Sequence, residues 1–190
     1  MTDYKKDYLY LVEEKENITR CNHTLGVIKE AVALAKKYGI NEDKARIAAS
    51  LHDITKNVPI DVQKEEIIKK LGPNVLSDLP MGAYHAISGY LYAKDVLQID
   101  DEDILNAINN HTLGRPKMSP LEKIIFISDF IEPSRNSTES NNAKALAYLN
   151  LDQCLVYIMT YTIERNQAIG NAVPKIAFDA LEYYKGVMGE

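Results

Sequence analysis

The spacing of apolar residues predicts helices along almost the whole chain. Between Ile18 and Tyr38, apolar side chains recur in steps of three and four residues, so that they fall on one face of a helix. No segment of the sequence alternates apolar and polar residues between turn signals in the way that a half-buried strand does. The pattern therefore predicts an all-α fold, a single compact helical bundle.

Turn-forming and capping residues divide this pattern into separate helices. Gly39 ends one helix, and Asn41 and Asp61 are placed to cap two others. Ser119 followed by Pro120 is typical of a cap and a first helical residue. The predicted helices cover residues 4–17, 18–38, 44–54, 61–71, 81–97, 101–110, 120–131, 141–149, 152–166 and 175–187. The loops between them are short, which favours one domain.

The composition is that of one globular domain over residues 1–190, with a core at about 18–135 and C-terminal helices at 141–187 packed on it. Apolar residues make up 46% and charged residues 26%, which are ordinary values. The net charge of -5 argues against a general nucleic-acid-binding protein, because such proteins need an excess of Lys and Arg. A few local cations can still hold a small phosphorylated ligand.

The sequence carries no signal for export or membrane insertion. Residues 1–7 lack the apolar core of a signal peptide, and no apolar run approaches the roughly 20 residues that span a bilayer. Cys21 and Cys154 are too few for a disulfide framework and are interpreted as free thiols. We therefore expect a cytoplasmic protein that binds no membrane and no nucleic acid.

The four histidines are the main candidates for chemistry. They are His23, His52, His85 and His111, and each lies on or at the end of a predicted helix. Small or apolar residues precede His52, His85 and His111. A single histidine on a helix is more often a surface residue or a hydrogen-bonded core residue than a metal ligand. The shared pattern of polar residues within apolar surroundings favours a common role.

Two aspartates extend this pattern. Asp53 directly follows His52, and Asp129 lies within the apolar run of residues 124–131, where a carboxylate needs a partner. Each aspartate alone has an ordinary alternative, as a polar residue near a helix end or as half of an ion pair. Histidine nitrogen and aspartate oxygen are, however, the donors of catalytic Zn, Mn, Fe and Co sites. Neighbouring helical residues project about 100° apart, so His52 and Asp53 can reach one shared centre, where Asp53 can bridge two ions.

Three segments resemble the HD phosphohydrolase superfamily. They run from Arg20 to Thr24, from Ala48 to Lys56 and from Ile127 to Arg135. They carry the metal signature of the superfamily, H…HD…D, in the forms RxxHT, HDxxK and DFIEPxR. Within the superfamily the chain looks most like the YqeK-type branch, which residues 107–114 also match. The resemblance covers residues 18–135 well and the remainder weakly, and it implies an HD-domain helical bundle.

The resemblance implies a set of metal ligands. It assigns one metal to His23, His52, Asp53 and Asp129, and a second metal to His85 and His111 with Asp53 as the bridge. Two divalent ions are therefore expected. The family is associated with iron, whereas the donor set alone does not choose between Fe, Mn, Co and Zn.

The resemblance also implies contacts to a nucleotide. We expect Asp53 and Lys56 to act in catalysis, with Lys56 offsetting charge that develops during phosphoryl transfer. Arg135 is a candidate to hold a phosphate through two hydrogen bonds. Nucleotide contacts are expected from five of the metal ligands, from Lys56 and Arg135, and from a C-terminal loop of Ala172, Val173, Pro174, Lys175 and Ile176. The five metal ligands are His23, Asp53, His85, His111 and Asp129. Weaker candidates, which the sequence also allows as surface residues, are Arg20, Arg115 and Asn171.

The branch is described as cleaving diadenosine tetraphosphate symmetrically into two ADP. We therefore expect a hydrolase acting on acid anhydrides, with a nucleotide of ADP or GDP type as substrate or product. One alternative is an HD-type phosphohydrolase for another nucleotide: a deoxynucleoside triphosphate, an alarmone or a cyclic dinucleotide. Another is a nucleotide-binding protein without catalysis. The family tends toward homodimers, and the sequence leaves the oligomeric state open.

Overall fold

The computed structural model describes residues 2–4, 8–15 and 17–189. In these residues the chain forms ten α-helices and no strand, which confirms the predicted all-α fold. The helices are α1 (Leu9–Lys15), α2 (Ile18–Tyr38), α3 (Glu42–Leu51), α4 (Ile60–Leu71), α5 (Tyr84–Leu91), α6 (Glu102–Asn110), α7 (Pro120–Ile131), α8 (Thr138–Ala147), α9 (Leu151–Ala168) and α10 (Lys175–Met188). None of them is both long enough and apolar enough to cross a membrane.

Most helix ends follow from the local sequence. Gly39 ends α2 with φ 68°, a left-handed conformation that glycine adopts without strain. The side chain of Asn41 accepts a hydrogen bond from the backbone N–H of Lys44 and so caps α3. Ser119 and Glu122 form a capping box at the start of α7, each side chain bonding to the backbone of the other. These three ends confirm the predictions.

Other helix bounds differ from the prediction. The helix predicted over 81–97 is a 3-10 turn (Met81–Ala83), then α5, then a π-helical turn (Tyr92–Val96), because the hydrogen-bond spacing changes while the apolar pattern continues. Pro59 rather than Asp61 precedes α4, and Asp61 lies in its first turn. Of the helix predicted over 4–17, α1 is the part seen, and residues 5–7 and 16 lie outside the described residues.

Helix α7 lies at the centre of the molecule and packs against α2, α3, α6, α8 and α9. Eight of its twelve residues are buried, which explains the nearly unbroken apolar run of residues 124–131. The main hydrophobic core includes residues as far apart as Tyr8 and Tyr184. Helices α9 and α10 contribute to this core through residues such as Leu155 and Leu181.

Candidate metal and phosphate site

Six side chains from five helical segments meet in one cavity. Their positions are α2 for His23, the turn after α3 for His52 and Asp53, α5 for His85, the residue after α6 for His111, and α7 for Asp129. They form two groups, in each of which the ligand atoms lie within 4.8 Å of one another. The first group is His23, His52 and Asp129, and the second group is Asp53, His85 and His111. The structure thus brings together all six residues predicted as metal ligands.

Asp53 lies between the two groups. Its Oδ1 atom is 3.0 Å from Nε2 of His85 and 3.6 Å from Nε2 of His111. Its Oδ2 atom is 3.8 Å from Nε2 of His52 and 4.0 Å from Nε2 of His23. One carboxylate oxygen therefore faces each group, as a bridging ligand requires.

The turn after α3 sets the position of His52 and Asp53. The helix was predicted to continue to residue 54, but α3 ends at Leu51. The backbone then forms tighter bonds, from the N–H of Ile54 to the oxygen of Leu51 and from the N–H of Lys56 to the oxygen of Asp53. Because His52 keeps helical dihedral angles, φ -56° and ψ -40°, the two side chains still reach one centre.

Backbone carbonyls fix the protonation of two histidine rings. Nδ1 of His52 is 2.6 Å from the carbonyl oxygen of Ala49, and Nδ1 of His111 is 2.7 Å from that of Ile108. A carbonyl oxygen only accepts hydrogen bonds, so each Nδ1 carries the proton and donates it. The Nε2 lone pairs then face the cavity, in the form that binds a metal.

The ring nitrogens of the histidines face each other in pairs. Nε2 of His23 is 3.4 Å from Nε2 of His52, and Nε2 of His85 is 3.1 Å from Nε2 of His111. Nε2 of His85 is also 3.0 Å from Oδ1 of Asp53, and Nε2 of His23 is 3.2 Å from Oδ1 of Asp129, so ring nitrogens and carboxylate oxygens are close enough to share a cation. The donor arrangement therefore fits a divalent metal, and its nitrogen and oxygen donors suit Fe, Mn, Co or Zn.

Burial and charge keep the buried rings in the neutral form. Burial lowers the pKa of His52 to about 4 and also lowers the pKa of His85. Burial lowers the pKa of His23 as well, but the carboxylates of Asp129 and Glu132 outweigh it and raise that pKa above its ordinary value. His52 and His85 are therefore neutral at pH 7, as metal binding requires.

The two aspartates of the site are ionised in spite of their surroundings. Burial raises the pKa of Asp53, but the histidines 52, 111 and 85 outweigh it and hold that pKa well below its usual range. Burial opposes ionisation of Asp129 too, and the hydrogen bond from His23 lowers its pKa by more. The site thus contains two ionised carboxylates beside the histidine rings, and a bound cation would be stabilised by their negative charge.

Three cationic side chains line the same cavity, which has a volume of about 470 Å³. Nζ of Lys56 is 3.0 Å from Nε2 of His85, and Nη2 of Arg135 is 2.7 Å from Oδ1 of Asp129. The guanidinium of Arg20 contacts Oδ2 of Asp53. The structure thus brings Lys56, Arg135 and the weaker candidate Arg20 to the cavity, where they lie beside the carboxylates of Asp53 and Asp129.

A second cavity, of about 540 Å³, adjoins the first at Thr112, which lines both. Its wall is mostly apolar and includes Phe126, Met159 and Ile163. Four residues of the C-terminal loop line it as well: Asn171, Ala172, Val173 and Pro174. The structure therefore places this part of the predicted loop next to the metal-ligand cluster.

Three predicted contact residues lie elsewhere. The Nε and Nη2 atoms of Arg115 are 2.7 and 2.8 Å from the carboxylate of Glu122, and Arg115 lines neither of the two cavities. Nζ of Lys175 is 2.6 Å from the carboxylate of Asp179 on the exposed side of α10. Ile176 lines a third cavity, which meets the other two at Thr112. None of these three residues lines the first or the second cavity.

Two residues at the site were not predicted from the sequence. Oε1 of Glu132 is 3.1 Å from Nδ1 of His23, and Oγ1 of Thr112 is 3.2 Å from Nε2 of His111. Glu132 follows Asp129 by three positions at the end of α7, a spacing that places both side chains on one face and could have indicated it. No pattern in the sequence indicates Thr112, which reaches the site only because it follows His111.

An all-helical fold with this set of histidines and aspartates places the chain in a known class of protein. The HD domain model matches residues 20–134, which is more than half of the chain. The chain belongs to the HD domain family.

Proteins of this family resemble the chain over most of its length. It is 37% identical over 165 residues to a protein of Halalkalibacterium halodurans named bis(5'-nucleosyl)-tetraphosphatase, symmetrical, covering 85% of this chain and 88% of that protein. It is 34% identical to a Bacillus subtilis protein of the same name, covering 87% of this chain and 91% of that one.

A solved structure from Clostridium acetobutylicum is described as a predicted HD superfamily hydrolase involved in NAD metabolism. It is similar with a TM-score of 0.86 at 34% identity, over 98% of this chain and 99% of that chain. Together with the named relatives, this similarity confirms the expectation that the chain is a hydrolase.

Proposed function

We propose that the chain is a metal-dependent hydrolase that cleaves a dinucleoside tetraphosphate symmetrically, so that diadenosine tetraphosphate yields two ADP. The observation that carries this proposal is the position of Asp53, with one oxygen toward each three-residue group. The two relatives named as symmetrical tetraphosphatases support the choice of substrate.

The six clustered ligands would hold two divalent ions, one at each group, with iron as the metal we expect. Such ions, when bound, lower the pKa of a water molecule and neutralise charge on phosphoryl oxygens. The protein's own task is to hold the ligands in place. Two features support this role: the backbone bonds that fix the rings of His52 and His111, and the burial of all three members of the second group.

Lys56 and Arg135 would bind the polyphosphate. The Lys56 ammonium is 3.9 Å from Oδ1 of Asp53, beside the point where the groups meet, so it can offset negative charge at the reacting phosphate. Arg135 uses one nitrogen for Asp129, and a guanidinium has five N–H donors in all, so it can also hold a phosphate oxygen. Arg20 is a third cation on the same cavity wall.

The adjoining apolar cavity would take one nucleoside. Symmetrical cleavage breaks the bond between the second and third phosphates, so two phosphates separate the reacting bond from each nucleoside. A base bound beside Ala172, Val173 and Pro174 would leave its phosphates directed past Thr112 toward the ligand cluster. The apolar wall suits a base, and the cationic wall suits the phosphates.

Metal removal tests the proposal most directly. The protein is purified anaerobically, treated with a chelator and assayed on diadenosine tetraphosphate before and after Fe²⁺, Mn²⁺, Co²⁺ or Zn²⁺ is added. We expect activity only with metal, and ADP as the single nucleotide product. Full activity without metal would contradict the metal dependence, and formation of AMP and ATP would contradict symmetrical cleavage.

A substrate panel separates this proposal from the other nucleotide hydrolases. The panel contains a deoxynucleoside triphosphate, a guanosine alarmone, a cyclic dinucleotide and diadenosine tetraphosphate, assayed at equal concentration with the best metal. We expect the tetraphosphate to have the highest kcat/KM. Equal or faster turnover of another member would replace the proposed substrate, and tight binding without any product would replace the enzyme by a binding protein.

A further inference from the structure

We propose that Glu132 is a positioning residue that holds His23 in the orientation and tautomer that bind a metal, and that Gly26 leaves the space in which it does so. This inference rests on the metal centre of the proposed function. It adds two residues that belong to neither ligand group.

The contact between Glu132 and His23 sets the tautomer of the ring. Oε1 of Glu132 is 3.1 Å from Nδ1 of His23, and the side chain of Glu132 is 1% exposed. A carboxylate only accepts hydrogen bonds, so Nδ1 of His23 carries the proton. Nε2 of His23 faces the cluster, 3.2 Å from Oδ1 of Asp129, and with the Nδ1 proton held by Glu132 it is the nitrogen left to bind a metal.

Glu132 is itself held by the backbone that follows α7. The backbone N–H of Ser134 donates to Oε2 of Glu132 at 2.7 Å, and the Ser134 hydroxyl donates to Oε1. Glu132 is the residue directly after α7, three positions beyond Asp129. The carboxylate therefore joins the His23 ring on α2 to the end of the helix that carries Asp129, so that two ligands of the first group are held relative to each other.

Gly26 makes this contact sterically possible. It lies one turn after His23 on α2, and a Cβ atom built on it would be 2.7 Å from Oε2 of Glu132 and 3.1 Å from Cδ of Pro133. Real Cβ atoms do not approach other atoms as closely as 2.7 Å, so a larger residue would displace the carboxylate. A residue at position 26 thus has to be glycine for Glu132 to keep its place beside His23.

Nδ1 of His23 has a side chain as its hydrogen-bond partner, whereas Nδ1 of His52 and of His111 has a main-chain carbonyl. Nδ1 of His52 and Nδ1 of His111 donate to carbonyl oxygens three residues earlier, which any sequence supplies. The partner of His23 is a charged group on another helix, and a carboxylate also raises the basicity of the ring. Substitutions at Glu132 should therefore weaken metal binding at the first group.

The test measures metal affinity directly. Metal-stripped parent, Glu132→Gln and Gly26→Ala are titrated with Mn²⁺, and each Kd is compared. Glu132→Gln removes the charge with little change of shape, and Gly26→Ala leaves the carboxylate chemically intact but displaces it. We expect the Kd of the more weakly bound Mn²⁺ ion to rise about tenfold or more in both variants. Loss of a hydrogen-bond partner behind a metal ligand costs roughly 10- to 100-fold in metal affinity.

Two control variants match these substitutions. Glu30→Gln removes another buried carboxylate, which pairs with Lys144 away from the site. Gly186→Ala replaces another helical glycine, around whose Cβ position there is open space. Both controls should keep the parent Kd within about twofold, and denaturant unfolding of each variant checks that it is folded.

The outcomes separate this inference from the proposed function. Binding of Mn²⁺ by both variants as in the parent would overturn the role of Glu132 and leave the metal centre intact. A parent that binds no Mn²⁺ would overturn both. If Glu132→Gln does not fold, Gly26→Ala decides alone. A positioning role further requires excess metal to restore hydrolysis by Glu132→Gln, and a loss that persists at saturating metal would contradict it.

Discussion

The two three-residue groups contain the same kinds of ligand but stand in different surroundings. The members of the second group are all buried, with side chains 1–7% exposed. In the first group His52 is fully buried, whereas the side chains of His23 and Asp129 are 14% and 25% exposed. The second group therefore lies wholly within the core. The first group is open to solvent on the side formed by α2 and by the end of α7.

This difference means that residues of the same type can differ in how much stability the protein loses when they are replaced. Replacing a buried ligand removes packing and leaves its hydrogen-bond partner unsatisfied, whereas replacing a partly exposed one mainly removes a donor. Four predictions test the comparison, beginning with the residue that the groups share.

The largest effect is expected for Asp53→Asn, which removes the carboxylate that faces both groups. We expect hydrolysis to fall by roughly a thousandfold or more, equivalent to about 4 kcal/mol, because a neutral amide cannot bridge two cations. Metal content, measured on the purified protein, should fall as well. Asp152→Asn is the matched control, since Asp152 pairs with Lys123 outside the cavity. Activity near the parent value in Asp53→Asn would show that the groups do not share a bridge.

The next effect concerns stability and separates the groups. His111→Ala should lower the free energy of unfolding of the metal-free protein by about 3 kcal/mol, because it opens a buried space and removes the donor to the Ile108 carbonyl. His23→Ala should lower it by a smaller amount, about 1 to 2 kcal/mol, because its ring is 14% exposed and the loss is mainly that of the hydrogen bond to Glu132. Urea unfolding of both variants measures the difference. Equal losses would mean that the groups do not differ in their contribution to the core.

A somewhat smaller effect is expected for Lys56→Ala, which leaves both groups intact. The expected decrease in kcat is about a hundredfold, the usual cost of losing one group that stabilises charge in the transition state. Metal content should stay at the parent level. Lys70→Ala serves as the control because Lys70 pairs with Asp95 on the surface. Loss of metal in Lys56→Ala would instead make the lysine part of the ligand arrangement.

The smallest effect is a change of stability with pH within the first group. The pKa of His52 is about 4 in the folded protein and about 6.5 when unfolded, so only the unfolded state takes up a proton between these values. The contribution of the His52 ring to the free energy of unfolding is complete above pH 6.5 and is lost as the pH falls toward 4. Lowering the pH from 7 to 5 should therefore remove about 2 kcal/mol of the contribution of His52 to the stability of the metal-free protein.

Urea unfolding at the two pH values, on the parent and on His52→Gln, measures this contribution. The variant should show a smaller loss between pH 7 and 5. His23 acts in the opposite direction, because its pKa is raised, and it does so in both proteins. An identical loss in the parent and the variant would mean that the ring of His52 is not buried in the neutral form.

The residues of the ligand cluster could be singled out because their signals are local, but their assignment as a ligand set rests on the resemblance to the HD superfamily. Asp129 interrupts an apolar run, and His52 and Asp53 are adjacent. His52, His85 and His111 follow small or apolar residues, which indicates burial of polar side chains. The helices follow in the same way from apolar spacing and from caps such as Asn41. These features depend on residues only a few positions apart.

The remainder depends on contacts between distant parts of the chain. Arg115 has the same local character as Arg135, yet it pairs with Glu122 while Arg135 reaches the cavity. The partner of Glu132 lies on α2, and the sequence does not state which helix will pack there. Packing also decides which side of α10 faces the cavity. As a result Lys175 points to solvent, whereas the loop residues before it line the second cavity.

The contact between His23 and Glu132 spans 109 positions of the chain, and this distance bears on how the protein is made. While the ribosome is still synthesising the middle of the chain, His23 and His52 are already present but α7 is not, so the ring of His23 has no fixed direction. On the proposed ligand set, the first group can be completed only after Glu132 has emerged and α7 has packed against α2. On that ligand set, loading of the first group would follow the folding of the central helix rather than precede it.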